Sequence, residues 1–211
     1  MFRKKYTYPD SNTLKNLLGI KDLPTFNEVE RFITGYSISQ FYGRQTKNPS
    51  PLTIDLYKAI HLYIFKDIFD WAGQFRTEEI SRLNEDFTTS NFCGVALIAP
   101  KLKLLFQELE KEDFLKGLDK EGVLGRTAYY LGQLNYIHPY RDGNGRTQRV
   151  FISILLRRLG IGLDFSQVSP EQMVFASRQS VYGSDTKLKE ILEQGVYLIP
   201  EDPFTDSESF Q

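Results

Sequence analysis

The chain concentrates its chemistry in His138-Pro139-Tyr140-Arg141-Asp142-Gly143-Asn144-Gly145-Arg146-Thr147-Gln148-Arg149. This stretch supplies an imidazole, a carboxylate, two glycines flanking an amide, and two arginines at i and i+3. The apolar run from Val150 to Leu156 follows directly and reads as a buried helix, which puts Gly143-Asn144-Gly145 at a loop-to-helix junction. The first turn of a helix carries N–H groups without intrahelical partners, and its dipole favours negative charge. Glycine lets the backbone approach a ligand closely. Arg146 and Arg149 leave one face of that helix, and a guanidinium binds phosphate oxygens through a two-pronged fork. The residues therefore predict a polyphosphate cradle with an acid and a base at its mouth. No lysine follows the glycines, so this is not the phosphate loop of the nucleotide triphosphatases. No buried strand precedes them, so it is not the dinucleotide fingerprint either.

Several elements must hold this loop. Apolar periodicity predicts short helices over 11–19 and 26–43, interrupted at Leu23-Pro24, after an extended arm over residues 1–10. Ser50-Pro51 is expected to open a further helix, with serine as N-cap and proline in the first turn; Leu56, Ile60, Tyr63 and Ile64 form its apolar stripe. Between Trp71 and Phe92 the helical period disappears, and a β-hairpin is predicted over 72–92. Helices follow over 92–110, 121–137, 144–159, 169–181 and 185–196. The 121–137 helix carries Leu124, Ala128, Leu131 and Leu134 on one stripe and delivers His138 at its end, where Pro139 stops it. The predicted fold is all-α with one small β-hairpin. Residues 11–197 form one domain, and 198–211 a mobile acidic tail.

The motif resembles the core motif of the Fic family, His-Pro-Phe-x-Asp/Glu-Gly-Asn-Gly-Arg-x-x-Arg, departing from it only at Tyr140. The segment Ile60-His61 through Trp71-Ala72-Gly73 to Arg76 is similar to the family's approach to its flap hairpin, and Leu14–Asp22 to the start of many bacterial members. The resemblance covers roughly residues 6–197. It implies a Fic-type helical bundle and a protein adenylyltransferase. His138 would take the proton of a Tyr, Ser or Thr hydroxyl on a target protein, and AMP would pass from ATP to that oxygen with release of pyrophosphate. Asp142 would hold Mg²⁺. Gly143, Asn144 and Gly145 would bind the α- and β-phosphates, Arg146 the β-phosphate and Arg149 the γ-phosphate. The flap, represented by Phe75, Thr77, Ile80 and Ser81, would align the target by main-chain pairing. Tyr140 keeps the ring of the usual phenylalanine but adds a hydroxyl that needs a partner. His61, on an apolar helix, reads as a core or capping residue.

Many family members carry an inhibitory helix with Ser/Thr-x-x-x-Glu-Gly/Asn. Thr186-x-x-x-Glu190 is followed by Ile191, Ser81-x-x-x-Glu85 by Asp86, and Glu121-Gly122 has Gly117 at the hydroxyl position, so no match is complete. The resemblance then implies a toxin or effector restrained by a separate antitoxin that supplies a glutamate. It would reside in a bacterial cytoplasm, or in a host cell after secretion.

Composition sets the outer bounds. With 211 residues, 41% hydrophobic and 25% charged, the chain has the balance of a globular protein able to bury a core without staples. A net charge of −1 offers no electrostatic basis for direct nucleic-acid binding. No apolar run reaches membrane-spanning length, so no membrane partner is expected. The single Cys93 has no internal disulfide partner and reads as a small buried hydrophobe. Two other readings of the motif stay open: transfer of a different group from a nucleotide or diphosphate donor, and a catalytically silent nucleotide-binding interaction module.

Overall fold

The computed structural model describes residues 6–47, 50–83 and 89–199. Its elements run α1 (Leu23–Lys47), α2 (Ile54–Phe65), β1 (Ser81–Leu83), β2 (Thr89–Asn91), α3 (Ile98–Lys111), α4 (Lys120–Ile137), α5 (Asn144–Arg157), β3 (Ile161–Leu163), α6 (Pro170–Val181), α7 (Thr186–Gly195) and β4 (Val196–Leu198). The fold is a helical bundle with a small antiparallel hairpin, β1–β2, in which Arg82 pairs with Ser90. A second short antiparallel pair, β3–β4, was not anticipated from the sequence.

Helix α5 sits at the centre. Val150, Phe151, Ile152, Ile154, Leu155 and Leu156 are all buried, and a helix this apolar, with Ser153 the one polar residue of the run, packs into the bundle. It packs against α2 and α4. Tyr57 of α2 meets Phe151 edge-on at 5.6 Å, and Phe106 of α3 closes on the same ring at 5.2 Å. The polar first turn of α5 therefore emerges at one end of a rigid core, so its N–H groups are fixed in direction.

The N-terminal expectations need correction. Residues 11–19 are not helical. Thr7 bridges Leu14, and the Asn16 amide donates to the Leu14 and Ile20 carbonyls and accepts from the Ile20 N–H. A side chain thus replaces the backbone ladder that apolar spacing alone suggested. Leu23-Pro24 opens α1 rather than interrupting a helix. Asp22 caps it by accepting the Thr25 N–H at 2.9 Å, and proline costs nothing in a first turn that lacks N–H partners. The cap of α2 is Thr53, not Ser50: its hydroxyl accepts the Leu56 N–H at 3.2 Å. The hairpin is shorter than 72–92. Among the described residues only 81–83 and 89–91 pair, and Glu85 falls outside them. Helix α3 begins at Ile98, after a tight turn over Val95–Leu97, rather than at residue 92. The predicted helices at 121–137, 144–159, 169–181 and 185–196 match α4 to α7 within a residue or two. The tail beyond residue 199 and the first five residues of the arm lie outside the described residues. No helix among the described residues is long and apolar enough to cross a membrane.

Candidate functional site

Helix α4 delivers the histidine. His138 is its C-cap, in the left-handed region at φ 44°, ψ 61°, with its N–H still bound to the Leu134 carbonyl. A non-glycine residue held there is uncommon and marks a strained, over-determined position. The ring is fixed on two sides. Its Nδ1 lies 3.2 Å from the Asn135 carbonyl. A carbonyl can only accept, so Nδ1 is the donor in this bond. Phe92, just beyond β2, stacks on the imidazole at 3.8 Å between ring centres.

The loop after His138 is braced by groups that are themselves buried. The Asn144 side chain accepts the Tyr140 N–H at 2.9 Å and donates to the Tyr140 carbonyl at 2.8 Å. Its amide oxygen is thus bonded within the loop, and what Asn144 presents to a ligand is its backbone. Thr147, to which the sequence assigned nothing, donates its hydroxyl to the Gly143 carbonyl at 3.0 Å. Gly143 sits at φ +78°, and an added Cβ would meet the Phe65 ring at 2.3 Å. Only glycine allows this turn to lie flat on Phe65. Because Gly143 offers no side-chain cap, the N–H groups of the first turn of α5 have no capping partner from it.

His61 is a core residue, as read from the sequence, and it does more than pack. It accepts the Gly73 N–H at Nδ1 (2.8 Å), so its Nε2–H donates to the Asp142 carbonyl at 3.0 Å. Burial depresses its pKa from 6.5 to about 3, although the Asp142 carbonyl pulls the other way; nearby Arg146 adds to the depression. Tyr140 lies on it at 3.7 Å, fully buried, and its hydroxyl finds the Tyr57 carbonyl at 3.4 Å. Arg76 is a second organiser that residue spacing did not assign. Fully buried, it donates from its backbone to the Pro139 carbonyl (2.8 Å), from Nε to His138 (2.9 Å) and from Nη2 to Cys93 (2.5 Å). A cation there satisfies carbonyls at the end of α4 and ties the base of the hairpin to the histidine.

The sequence-predicted residues converge on one polar cavity of about 350 Å³, lined by His138, Asp142, Gly143, Asn144, Gly145, Arg146, Arg149, Ile80 and Ser81. A second cavity of about 340 Å³ shares His138, Gly145 and Arg149 with it and continues along α6 past Phe165, Val168 and Met173. Phe75 and Thr77 are not on the paired strands. Phe75 packs toward Tyr140, and Thr77 bonds the Tyr6 hydroxyl at 3.3 Å. The two arginines differ. Arg146 ion-pairs with Glu30 of α1 and lies 3.7 Å from an Asp142 oxygen. Arg149 has no carboxylate in ion-pair range among the described residues, and burial together with the charge of Arg146 pushes its guanidinium below its usual value. An anion beside Arg149 would relieve both effects. Glu190, the nearest approach to an inhibitory glutamate in sequence, is paired with Lys187 on α7.

Taken together, the site places a helix N-terminus without a side-chain cap, two arginines and a histidine around one cavity in a helical bundle. The Fic/DOC family model matches residues 51–156, and the chain belongs to this family. It is 31% identical over 196 residues to the probable protein adenylyltransferase Fic of Salmonella typhimurium, covering 92% of each chain. It is 34% identical over 191 residues to the protein adenylyltransferase VbhT of Bartonella schoenbuchensis; that match covers 90% of this chain but 38% of VbhT. Among solved structures it is similar to the effector BepC of Bartonella tribocorum with bound AMPPNP. That pair has a TM-score of 0.79 and 28% identity, covering 92% of this chain and 96% of the other.

Proposed function

We propose that the chain is a protein adenylyltransferase that moves AMP from ATP to a hydroxyl of a target protein. The observation that carries this reading is the convergence of the His138 imidazole, the first turn of α5, which has no side-chain cap, and Arg149 on one cavity. The names of the relatives, and the AMPPNP bound in BepC, support the choice of ATP. The polyphosphate lies against the N–H groups of Asn144, Gly145 and Arg146, with Arg146 on the β-phosphate and Arg149 on the γ-phosphate. His138 accepts the hydroxyl proton as the oxygen attacks the α-phosphorus. The bond from that phosphorus to the bridging oxygen breaks, and pyrophosphate leaves.

Asp142 fits a magnesium ligand. It is half-exposed, lines the cavity, and brings one carboxylate, which suits an ion that keeps waters and phosphate oxygens. Bound there, Mg²⁺ neutralises polyphosphate charge. Ile80 and Ser81, at the start of the hairpin, lie beside His138 in the cavity, where an extended target segment pairing with the strand edge would bring its hydroxyl. A separate antitoxin glutamate directed at Arg149 would occupy the γ-phosphate position. Residence in a bacterial cytoplasm, or delivery into a host cell, is consistent with the similarity to Bartonella effectors.

Incubation with ATP, Mg²⁺ and a cell lysate, followed by intact-protein mass spectrometry, tests the reaction. The expected result is an AMP adduct on a lysate protein or on the chain itself. A different adduct would mean another donor group, and ATP binding without transfer would mean a silent module.

A further inference from the structure

The ion pair between Glu30 and Arg146 joins residues more than a hundred positions apart, and nothing in the motif announces it. Glu30 and Thr34 stand one turn apart on α1, on one face. Arg146 Nη1 meets the Glu30 carboxylate and donates to the Thr34 hydroxyl at 3.2 Å; that hydroxyl donates onward to the Glu30 carbonyl at 2.8 Å. The guanidinium carbon lies 4.8 Å from the centre of the Phe65 ring. One edge of the fork is thus committed to α1 and one face to Phe65, while Nη2 is the group nearer Asp142.

This arrangement has a cost. The Glu30 side chain is only 12% exposed, and burial raises its pKa against the pull of Arg146. A half-buried ion pair is weak support for stability by itself, because desolvation offsets much of the attraction. Helix α1 already has an apolar seam, with Phe26 and Phe41 buried. Orientation of Arg146 is what the pair adds. A flexible arginine must lose rotamer freedom when it grips a phosphate, whereas one already held by a carboxylate, a hydroxyl and a ring has lost it beforehand. The neighbouring Arg149 has no such carboxylate among the described residues.

We propose that Glu30 is a positioning residue of the phosphate site, presetting Arg146 for the β-phosphate with Thr34 as its helper. The proposal rests on the reading of the site as an ATP site. It separates two jobs: Arg146 is a fixed recognition element, and Arg149 the arginine open to an incoming anion, whether γ-phosphate or inhibitor carboxylate.

The test compares ATP and AMP binding, with Mg²⁺, to the wild-type chain and to Glu30→Gln, Thr34→Val, Arg146→Ala and the Glu30→Gln/Arg146→Ala double variant. Melting temperatures are measured in parallel. Loss of one hydrogen bond to a charged group corresponds to about ten-fold in affinity. Glu30→Gln is expected to weaken ATP by about that factor while leaving AMP, which has no β-phosphate, unchanged; Thr34→Val should do the same more weakly. In the Arg146→Ala background Glu30→Gln should add nothing. Unchanged ATP affinity in Glu30→Gln, equal losses for ATP and AMP, or tighter ATP binding would each overturn the proposal; the last would make Glu30 a brake. If Glu30→Gln does not fold, Thr34→Val decides by the same ATP-against-AMP criterion. A wild-type chain that binds no ATP would instead refute the reading of the site.

Discussion

Gly143→Ala places one methyl group where the loop, the helix and the core meet. The new Cβ would lie 2.3 and 2.4 Å from two carbons of the Phe65 ring and 3.2 Å from His61 Nε2, at a φ of +78°. Two penalties add. An L-residue in the left-handed region costs about 1–2 kcal/mol, and forcing an extra carbon into a packed site about 1–3 kcal/mol. The expected destabilisation is therefore about 2–5 kcal/mol. For a domain of this size that lowers the melting temperature by roughly 5–20 °C. The loop cannot relieve the clash by moving away, because Asn144 ties it to Tyr140 and Thr147 ties the Gly143 carbonyl to α5. Whatever shift occurs displaces the first N–H groups of α5, so ATP affinity should also drop at temperatures where the variant is folded. Denaturant unfolding of wild type, Gly143→Ala, Phe65→Leu and the double variant separates the two penalties. Phe65→Leu removes the ring carbons that clash, so the double variant should be less destabilised than the sum of the single ones by at least about 1 kcal/mol, the left-handed penalty remaining. Strict additivity would show that the ring contact is not what the glycine avoids. A wild-type melting temperature for Gly143→Ala would refute the whole account.

Other outcomes follow from the same geometry. His138→Ala should keep ATP affinity within about two-fold, since the imidazole acts on the hydroxyl proton, and should lower transfer by about 10²-fold or more; near-normal transfer removes the proposed base. Arg149→Ala should weaken ATP by about ten-fold or more while changing the melting temperature little, because no carboxylate is left unpaired; equal affinities for ATP would place the γ-phosphate elsewhere. Asp142→Ala should raise the Mg²⁺ concentration needed for half-maximal transfer, and an unchanged metal titration would reduce the aspartate to a turn residue. Acid should destabilise the chain through His61. Its folded pKa is depressed from 6.5 to about 3, so its contribution is present above about pH 6.5 and lost as pH falls toward 3, amounting to about 2 kcal/mol by pH 5. Unfolding free energies at pH 8 and pH 5, measured with a chelator present, should differ by that much more in wild type than in His61→Gln; identical pH slopes would rule out a neutral buried imidazole.

The glycine loop and its candidate phosphate site were legible in the amino-acid order because their geometry is local. A helix terminus, a glycine turn and arginines at i and i+3 are defined by neighbours in sequence, so His138 to Arg149 could be read as one unit before any tertiary contact was known. The burial of α5 was legible for the same reason: six of the seven residues from Val150 to Leu156 are apolar, Ser153 being the exception. Residues 11–19 failed because Asn16 satisfies locally the backbone groups that a helix would have used, and apolar spacing does not register that competition. The hairpin failed in extent because Arg76, inside the predicted span 72–92, is a buried tie to the His138, Pro139 and Cys93 carbonyls rather than a paired strand residue. Tertiary structure alone decided that Glu30 meets Arg146, that His61 holds the Asp142 carbonyl and that Phe92 covers His138. Each of these is a contact between distant segments, selected by how buried faces of different helices fit together. A residue's type and its near neighbours state what it can bond to; only the packing of the whole core decides which partner stands within reach.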